Sequence, residues 1–392
     1  MAPKSMLAAI VLILFFIVEI ESNKILESAC ELDEEPESCR SSLLQNPRSS
    51  KAGPKDLSKI ALEASLAKVH RVYDLIPPSG WVGRAFDEKT SQAIDRCLTF
   101  IDLALDHLNA AMGKLIRSEE RILKLNHAVD IQTLLSASLT NQRTCLRGLQ
   151  QANVNTSQFT FAVEISGSSQ WVRNSVALIN KLWIPEKPAV RHRRLLFDGD
   201  DFPSGFPLWL SGGDRRLLLD RHGVSANVTV AQDGSGNYKS IGDAINGAPD
   251  NSRKKYVIRV AKGIYREIVE VPKNKRNIML VGDGIDATVI TGDRSVGDGW
   301  TTIDTATLRV FANGFMASDM TIENTAGPEK QEAVAAFLAS DVAVLHRCKL
   351  MGFQNTLYAH SLRQFYSNCD IHGTIDFISG NAAAMFKKCN IV

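Results

Sequence analysis

The chain has 392 residues, of which 44% are hydrophobic and 22% are charged. It is long enough for two or three domains with sizeable cores, which excludes a single small module, wholesale disorder and a collagen-like or coiled-coil composition. Lys and Arg number 45 against 43 Asp and Glu, so the chain has no global positive field for binding nucleic acid.

An apolar run from Leu7 to Val18 is short for a membrane span and typical of a secretory signal. Residues 1–22 are therefore predicted to be a signal peptide or a signal anchor. Both alternatives send the chain into the secretory pathway, the second with membrane anchoring before processing. In that pathway the seven cysteines become disulfide candidates, and Asn155 and Asn227 lie in glycosylation sequons.

Residues 23–185 are predicted to form an all-α domain. Apolar residues recur at steps of three and four in four segments: Leu62 to Ile76, Ile94 to Leu115, Ile131 to Leu149, and Val172 to Trp183. Pro77 ends the first segment, because proline cannot continue a helix. Four such amphipathic helices predict an antiparallel four-helix bundle.

Four cysteines belong to this helical region. Cys30 and Cys39 lie nine residues apart before the first long helix, whereas Cys97 and Cys145 lie on separate helices. Four cysteines allow three pairings, and Cys30–Cys39 with Cys97–Cys145 suits this layout best.

Residues 186–222 are rich in Pro, Gly, Asp and Arg and have no period, which predicts an exposed linker. The motif Arg-Arg-Leu-Leu occurs in it twice, at residues 193–196 and 215–218. Paired basic residues in an exposed linker suit a processing protease; the alternative is a merely solvated, charged tether.

Residues 223–392 change to short β-branched and aromatic runs punctuated by Gly and Asn, which predicts strands. The clearest runs are Tyr256 to Val260, Asn277 to Val281, Thr288 to Thr291, and Met320 to Asn324. This change of periodicity predicts a second, all-β domain.

A repeat near the end of the sequence indicates how these strands are arranged. Cys348, Cys369 and Cys389 each begin a similar triplet, at spacings of 21 and 20 residues, which predicts a solenoid of stacked β coils. Equivalent positions would lie about 4.8 Å apart. Cys348 and Cys369 would then form a disulfide or, alternatively, a reduced and stacked buried pair. By the same count, Asn355 and Asp376 share one column on adjacent coils.

Six longer motifs are specific enough to indicate a family. They are GIYRE (263–267), NIMLVGDG (277–284), ENTAGPEK (323–330), GFQNTLYAHS (352–361), GTIDFISGNAA (373–383) and, in the helical part, SASLTNQRTCL (136–146). Together they resemble plant pectinesterases (pectin methylesterases) with an N-terminal invertase/pectinesterase inhibitor-like pro-region. The resemblance implies a right-handed parallel β-helix, a single-stranded solenoid, in a secreted protein of the cell wall. It also implies hydrolysis of the methyl esters of homogalacturonan to pectate and methanol, without a metal or organic cofactor.

The resemblance further implies roles for four positions. Asp376 matches the family's carboxylate nucleophile, and Gln354 matches an amide that holds the oxyanion. Asn355 stands where the family has its general acid–base Asp, and Glu332 stands where it has an oxyanion Gln. An amide cannot exchange a proton at ordinary pH, and loss of acid–base assistance removes about 10²–10⁴ in rate.

Other departures from the family point the same way. The family's later LGRPW motif, whose arginine braces the nucleophile, has no counterpart up to Val392, so the β domain is expected to represent the N-terminal half of a family domain. Tyr358 and Phe377 adjoin the site motifs and are predicted to contact the sugar, although aromatic residues in strands more often pack. Cys389 matches a cysteine whose family partner lies later in the chain.

Three functions are therefore predicted. The chain is a pectinesterase-family enzyme, a carboxylic ester hydrolase, whose activity is weak or lost. Alternatively, its helical domain is a noncatalytic inhibitor of pectinesterases that a protease releases at the linker, or its β domain binds pectin without turnover. Methyl-esterified homogalacturonan is the expected partner in the first and third cases, and intact pectinesterases are the expected partner in the second.

Overall fold

The computed structural model describes residues 25–28, 30–31, 35–77, 86–118, 123–155, 159–184, 205–219 and 225–392. The chain divides into two compact units, Met1–Val190 and Arg191–Val392, called here the helical unit and the β unit. The predicted signal at residues 1–22 and the first Arg-Arg-Leu-Leu motif lie outside the described residues. None of the described helices is long and apolar enough to cross a membrane.

The helical unit contains the four predicted amphipathic helices. Its elements are α1 (Pro36–Leu44), a 3-10 turn (Ser49–Lys51), α2 (Pro54–Leu75), α3 (Glu88–Arg117), α4 (Leu125–Gln151) and α5 (Thr160–Trp183). Each of the four long helices, α2 to α5, packs against two of the others. Their apolar faces are buried in these contacts, as the spacing of their apolar residues predicts.

Local sequence sets several of the helix ends. Pro54 occupies the first turn of α2, where its fixed φ fits and its missing N–H is not needed. Asp87 caps α3, because its side chain accepts a hydrogen bond from the backbone N–H of Thr90. Helix α2 ends at Leu75, shortly before Pro77, as predicted.

Two disulfides cross-link the helical unit. Cys30 is bonded to Cys39 in α1, and Cys97 in α3 is bonded to Cys145 in α4. All four residues are buried. This is the pairing that the cysteine layout favoured, and the structure confirms it.

The β unit is built from parallel strands. Two helices precede or interrupt its early strands, α6 (Gly212–Leu219) and α7 (Ile241–Asn246), and a 3-10 turn lies at Pro328–Lys330. The first eight strands are β1 (Val228–Val230), β2 (Tyr256–Val260), β3 (Gly263–Arg266), β4 (Val269–Val271), β5 (Ile278–Gly282), β6 (Thr288–Gly292), β7 (Leu308–Val310) and β8 (Met316–Asn324). The remaining strands are β9 (Ala336–Ala339), β10 (Ala343–Met351), β11 (Leu357–Ser361), β12 (Arg363–Ser367), β13 (Asp370–His372), β14 (Ile378–Ser379), β15 (Ala383–Lys387) and β16 (Asn390–Ile391).

These strands form two parallel sheets. The first sheet has 11 strands: seven follow the path β1-β2-β5-β8-β10-β12-β15, and β3, β6, β13 and β16 pair beside it. The second sheet has the order β14-β11-β9-β7-β4. Inward-facing aliphatic residues of both sheets form one core, which includes Leu280 and Leu345 from the first sheet and Leu308 and Leu357 from the second. The chain therefore winds as a parallel β-helix, with the core inside the coils.

The register confirms the predicted length of a coil. Lys349 pairs with Asp370, and Asp370 pairs with Asn390. These partners are 21 and 20 residues apart, the spacings of the cysteine triplets. Each repeat is thus one turn of the solenoid, and neighbouring repeats are joined by strand hydrogen bonds.

The prediction of an exposed linker is wrong for residues 205–219. This segment contains α6 and packs on the first sheet through the buried side chains of Phe206, Leu210 and Leu218. Its three apolar anchors are irregularly spaced, so they produce no helical or strand period. Their partners lie on distant strands, and for this reason composition alone indicated a tether.

Candidate functional site

The four predicted site positions lie at the start of neighbouring strands of the second sheet. Glu332 and Gln354 form a parallel bridge just before β9 and β11. Leu357 in β11 pairs with Ile378 in β14, so that Asn355 and Asp376, two residues earlier on each coil, occupy equivalent positions. The backbone N–H of Asn355 donates to the carbonyl of the residue before Asp376 at 3.4 Å. The register therefore agrees with the predicted column of an amide and a carboxylate.

Both residues of this column have a left-handed backbone. The φ angle is 62° at Asn355 and 48° at Asp376. Asn and Asp are the non-glycine residues that tolerate this region best, because their short polar side chains can bond to the local backbone. The two coils thus turn in the same way at the same point, which explains why this residue pair fits there.

The site positions differ in exposure. Asp376 is exposed, Glu332 and Gln354 are half-buried, and Asn355 is 8% exposed. A polymer lying on this face can reach the Asp376 carboxylate directly. An exposed carboxylate backed by a buried amide can attack an ester carbonyl, but it has no neighbouring acid at position 355 to protonate the leaving alkoxide.

A buried asparagine that the sequence analysis missed fixes the backbone near Glu332. The Asn324 side-chain nitrogen donates to the carbonyl oxygens of Arg294, Thr305 and Val334 at 2.9, 3.1 and 3.2 Å. In addition, the Val296 backbone N–H donates to the Glu332 carbonyl at 2.9 Å. These bonds tie the loop before β7 to the strand that carries the site. The signal for this role was a buried amide inside the ENTAGPEK motif, next to the strand end.

The two predicted sugar-contacting aromatic residues have different positions. Tyr358 is half-buried beside the site segment and meets the fully buried Phe337 edge-on, with ring centroids 5.3 Å apart. Phe377, in contrast, packs against the core inside the coils. Phe377 is nevertheless only half-buried, and the left-handed backbone at Asp376 interrupts the extended strand just before it. A contact between Phe377 and the sugar therefore stays a prediction. Tyr358 remains a candidate contact.

A buried arginine lies on the outer face of the same sheet and was also missed. Arg309 in β7 pairs in register with Phe337 and with Glu270. Its guanidinium lies 3.0 Å from a Glu270 carboxylate oxygen and 3.2 Å from one of Asp304. The Arg309 and Asp304 side chains are only 10% and 8% exposed. The ion cluster therefore joins strands β4 and β7 to the loop that precedes β7.

The predicted disulfide between Cys348 and Cys369 is absent from the structure, and the alternative of a reduced, stacked pair is correct. Cys348, Cys369 and Cys389 are free thiols on successive coils. Each thiol donates to a backbone carbonyl, those of Ala317, Leu345 and Tyr366 respectively, at 3.3–3.5 Å. Side chains stacked on parallel strands have Cβ atoms about 4.8 Å apart, beyond the range that a disulfide accepts.

Stability of the β unit is expected to fall at alkaline pH because of this thiol column. The hydrogen bond with Cys348, together with burial, holds the pKa of Cys369 well above its usual range. Below pH about 8.5 the thiol of Cys369 keeps its proton in both the folded and the unfolded chain, so its contribution to the free energy of unfolding is fully present. Above this pH the unfolded chain loses a proton that the folded chain keeps. The free energy of unfolding then falls by about 1.4 kcal/mol per pH unit for this thiol. Denaturant titrations from pH about 8 to 10 measure this slope.

The control for this prediction is Cys369→Ala, which removes this thiol and also the hydrogen bond with Cys369 that raises the pKa of Cys389. Its stability is expected to fall less steeply with pH than that of the natural chain. Identical slopes for the two proteins would contradict the assignment.

The two predicted glycosylation asparagines are both exposed. Asn227 lies directly before β1, and its side-chain oxygen accepts a hydrogen bond from the Val257 backbone N–H at 2.8 Å. Asn155 follows α4, and the rest of its sequon lies outside the described residues. Glycosylation at both sites stays a prediction. Within the described part of the chain, no group of three His, Cys, Asp or Glu residues is arranged as metal ligands.

Two family models match the chain, one for each unit. The model described as plant invertase/pectin methylesterase inhibitor matches residues 24–178, and the model described as pectinesterase matches residues 227–392. Neither match overlaps the other. Together they cover most of the sequence.

Individual proteins agree with these matches. "Pectinesterase 3" of Citrus sinensis is 39% identical over 381 residues, covering 94% of this chain and 63% of the relative. "Probable pectinesterase/pectinesterase inhibitor 32" of Arabidopsis thaliana is 42% identical, covering 82% of this chain and 62% of the relative. The structure titled "Pectin methylesterase from Carrot" is 48% identical over 44% of this chain and 54% of its own, with a TM-score of 0.43. The chain thus spans less than two thirds of the length of these relatives.

Proposed function

The chain belongs to the pectinesterase family and carries a domain of the plant invertase/pectin methylesterase inhibitor family. We propose that its β unit binds methyl-esterified homogalacturonan in the cell wall and hydrolyses the methyl esters weakly or not at all. The pectin would lie across the outer face of the second sheet, at Asp376. The proposal includes the finer architecture: an antiparallel four-helix bundle over residues 23–185 and a right-handed β-helix over residues 223–392. It also includes secretion.

The observation that carries the proposal is the column of Asn355 and Asp376. In the proposed reaction the Asp376 carboxylate attacks the ester carbonyl, and the carbonyl oxygen becomes an oxyanion held by Gln354. Collapse of this intermediate must expel methoxide, which needs a proton, and the resulting anhydride must then be hydrolysed by an activated water. An acid at position 355 would supply both proton transfers. Asn355 can do neither, which limits turnover rather than binding.

Glu332 is a second reason to expect slow turnover. Its backbone bridges Gln354, the proposed oxyanion donor. An ionised carboxylate near the developing oxyanion raises the energy of the transition state, and loss of one oxyanion donor alone typically costs about 10²–10³ in rate. Ground-state binding of the neutral ester is affected much less, since its carbonyl oxygen carries little charge.

Pectin binding and methanol release, measured on the same protein, test the proposal. We expect the chain to co-sediment with highly methylated pectin and to release methanol at least about 10²-fold more slowly than an active plant pectinesterase. Asp376→Ala should abolish any residual release, whereas Asp370→Ala, which removes an acid of the preceding strand β13, serves as the matched control. Absence of pectin binding, or methanol release that Asp376→Ala leaves unchanged, would refute the proposal.

A second candidate function rests on the match of residues 24–178 to the inhibitor family. In this case the helical unit restrains intact pectinesterases. Adding residues 23–185 to an active pectinesterase distinguishes the two candidates, because only this second function predicts a dose-dependent loss of methanol release.

A further inference from the structure

The outer face of the first sheet carries a line of aligned apolar side chains, called here the apolar line. Its members occupy matching positions on six neighbouring strands: Val257, Met279, Met316, Val344, Phe365 and Met385. Their neighbours in sequence, such as Ile258 and Leu345, belong to the inner core, so strand alternation places the apolar line on the opposite face. An apolar strip of this length on a soluble sheet requires a cover.

Residues 205–219 provide that cover. Phe206, Leu210 and Leu218 form one cluster with the apolar line, separate from the core inside the coils. Four members of the line are fully buried: Met279, Met316, Val344 and Phe365. Phe206 and Phe365 meet edge-on, with ring centroids 5.9 Å apart. The segment is thus packed into place rather than tethered loosely.

Polar contacts fix the same segment at its beginning, middle and end. The Lys387 ammonium donates to the Gly205 carbonyl at 3.0 Å, and the Arg347 guanidinium donates to the Leu218 carbonyl at 3.0 Å. Between them, Asp214 lies 3.5 Å from the Lys255 ammonium, with both side chains less than 20% exposed. The apolar line and three cationic side chains of the sheet therefore hold one 15-residue segment in one position.

This segment contains the second Arg-Arg-Leu-Leu motif. The motif occupies the last turns of α6, and the Arg215 guanidinium donates to the carbonyls of Pro207 and Leu210 at 3.0 and 2.9 Å. Leu218 is fully buried. Proteases cleave segments that can leave the folded structure and enter an active site in an extended form, which this helical, anchored motif cannot do without local unfolding.

We propose that the apolar line is the docking surface for the chain's own residues 205–219, and that docking hides the second Arg-Arg-Leu-Leu motif from proteases that cleave after paired basic residues. The docked segment stays with the β unit after secretion unless it is first released. The proposal does not depend on pectin binding or hydrolysis. It assigns a structural role to a segment whose composition suggested only a processing site.

Limited digestion of the full chain with a protease specific for paired basic residues tests this inference, with new N-termini identified by mass spectrometry. We expect no cleavage after Arg216 in the natural protein at doses that cleave an unfolded control. Leu210→Asp, which lies outside the motif and places a charge against the apolar line, should speed cleavage after Arg216 by about tenfold or more. Leu208→Asp is the matched control, because Leu208 lies two residues earlier in the same segment and is 73% exposed.

A milder variant distinguishes release of the segment from general unfolding, which Leu210→Asp could also cause. Lys387→Ala removes the bond to the Gly205 carbonyl and leaves the apolar line intact, so cleavage after Arg216 should rise about 2- to 10-fold. The circular dichroism of the β unit should stay unchanged in this variant. Cleavage of the natural protein after Arg216 as fast as the unfolded control, or equal rates for Leu210→Asp and Leu208→Asp, would overturn the proposal.

Discussion

Methanol release from methylated pectin is expected to rise about 10²–10⁴-fold when Asn355→Asp is combined with Glu332→Gln in a chain extended by an LGRPW-containing segment of the pectinesterase family. The first substitution supplies a group that can protonate the departing methoxide and later activate water. The second replaces a carboxylate with an amide where negative charge develops. The extension supplies the arginine that, by the family resemblance, braces Asp376. Methanol release by the extended chain with and without the two substitutions gives the ratio directly.

The control is Asn355→Gln in the same extended chain. It changes the side chain at position 355 but adds no ionisable group, so it should remain as slow as the extended chain with Asn355. Residues 1–392 carrying both substitutions are expected to stay inactive, because Asp376 would lack its brace. Full activity of that shorter double variant would contradict the importance given to the arginine.

Arg309→Ala is expected to lower the free energy of unfolding of the β unit by about 3–5 kcal/mol, because it leaves the buried carboxylate of Asp304 without its cation and also removes the partner of the half-buried Glu270. Asp304 is 8% exposed, so water can solvate its charge only poorly. The loss should be measurable as a shift in chemical denaturation of the full chain, followed by the circular dichroism of its β structure.

Arg259→Ala provides the comparison within the same unit. Arg259 also pairs with a carboxylate, that of Asp283 at 2.9 Å, but its side chain is 59% exposed. Exposed ion pairs contribute about 0–1 kcal/mol, so this variant should unfold almost like the natural protein. If both variants lowered the free energy of unfolding equally, burial would not explain the contribution of the ion cluster around Arg309.

Local periodicity was sufficient to predict most of the architecture. The helices follow from apolar spacing over many residues, and the coil length follows from the repeated triplets at Cys348, Cys369 and Cys389, because a solenoid brings equivalent positions into register. The alignment of Asn355 with Asp376 is a direct consequence of that coil length. These features depend on regular spacing, which a single sequence displays.

The features that sequence reasoning missed depend on contacts between distant residues. Leu210 and Leu218 find their partners on six strands that form only when the solenoid is wound, and their own spacing gives no sign of it. Arg309 resembles any charged strand residue until Asp304 and Glu270 are placed around it. The partial packing of Phe377 against the core depends on where the chain turns at Asp376, and the left-handed backbone there is a property of the folded coil.

The left-handed turn shared by positions 355 and 376 also makes the fold of the coils independent of whether position 355 can transfer a proton. Aspartate and asparagine have nearly the same shape and tolerate this backbone similarly, so exchanging one for the other at position 355 leaves the winding of the coils essentially unaffected. A lineage that carries this solenoid can therefore lose or regain proton transfer through the replacement of one oxygen by a nitrogen. Selection on proton transfer at this position can therefore relax while selection on the folding of the coils continues.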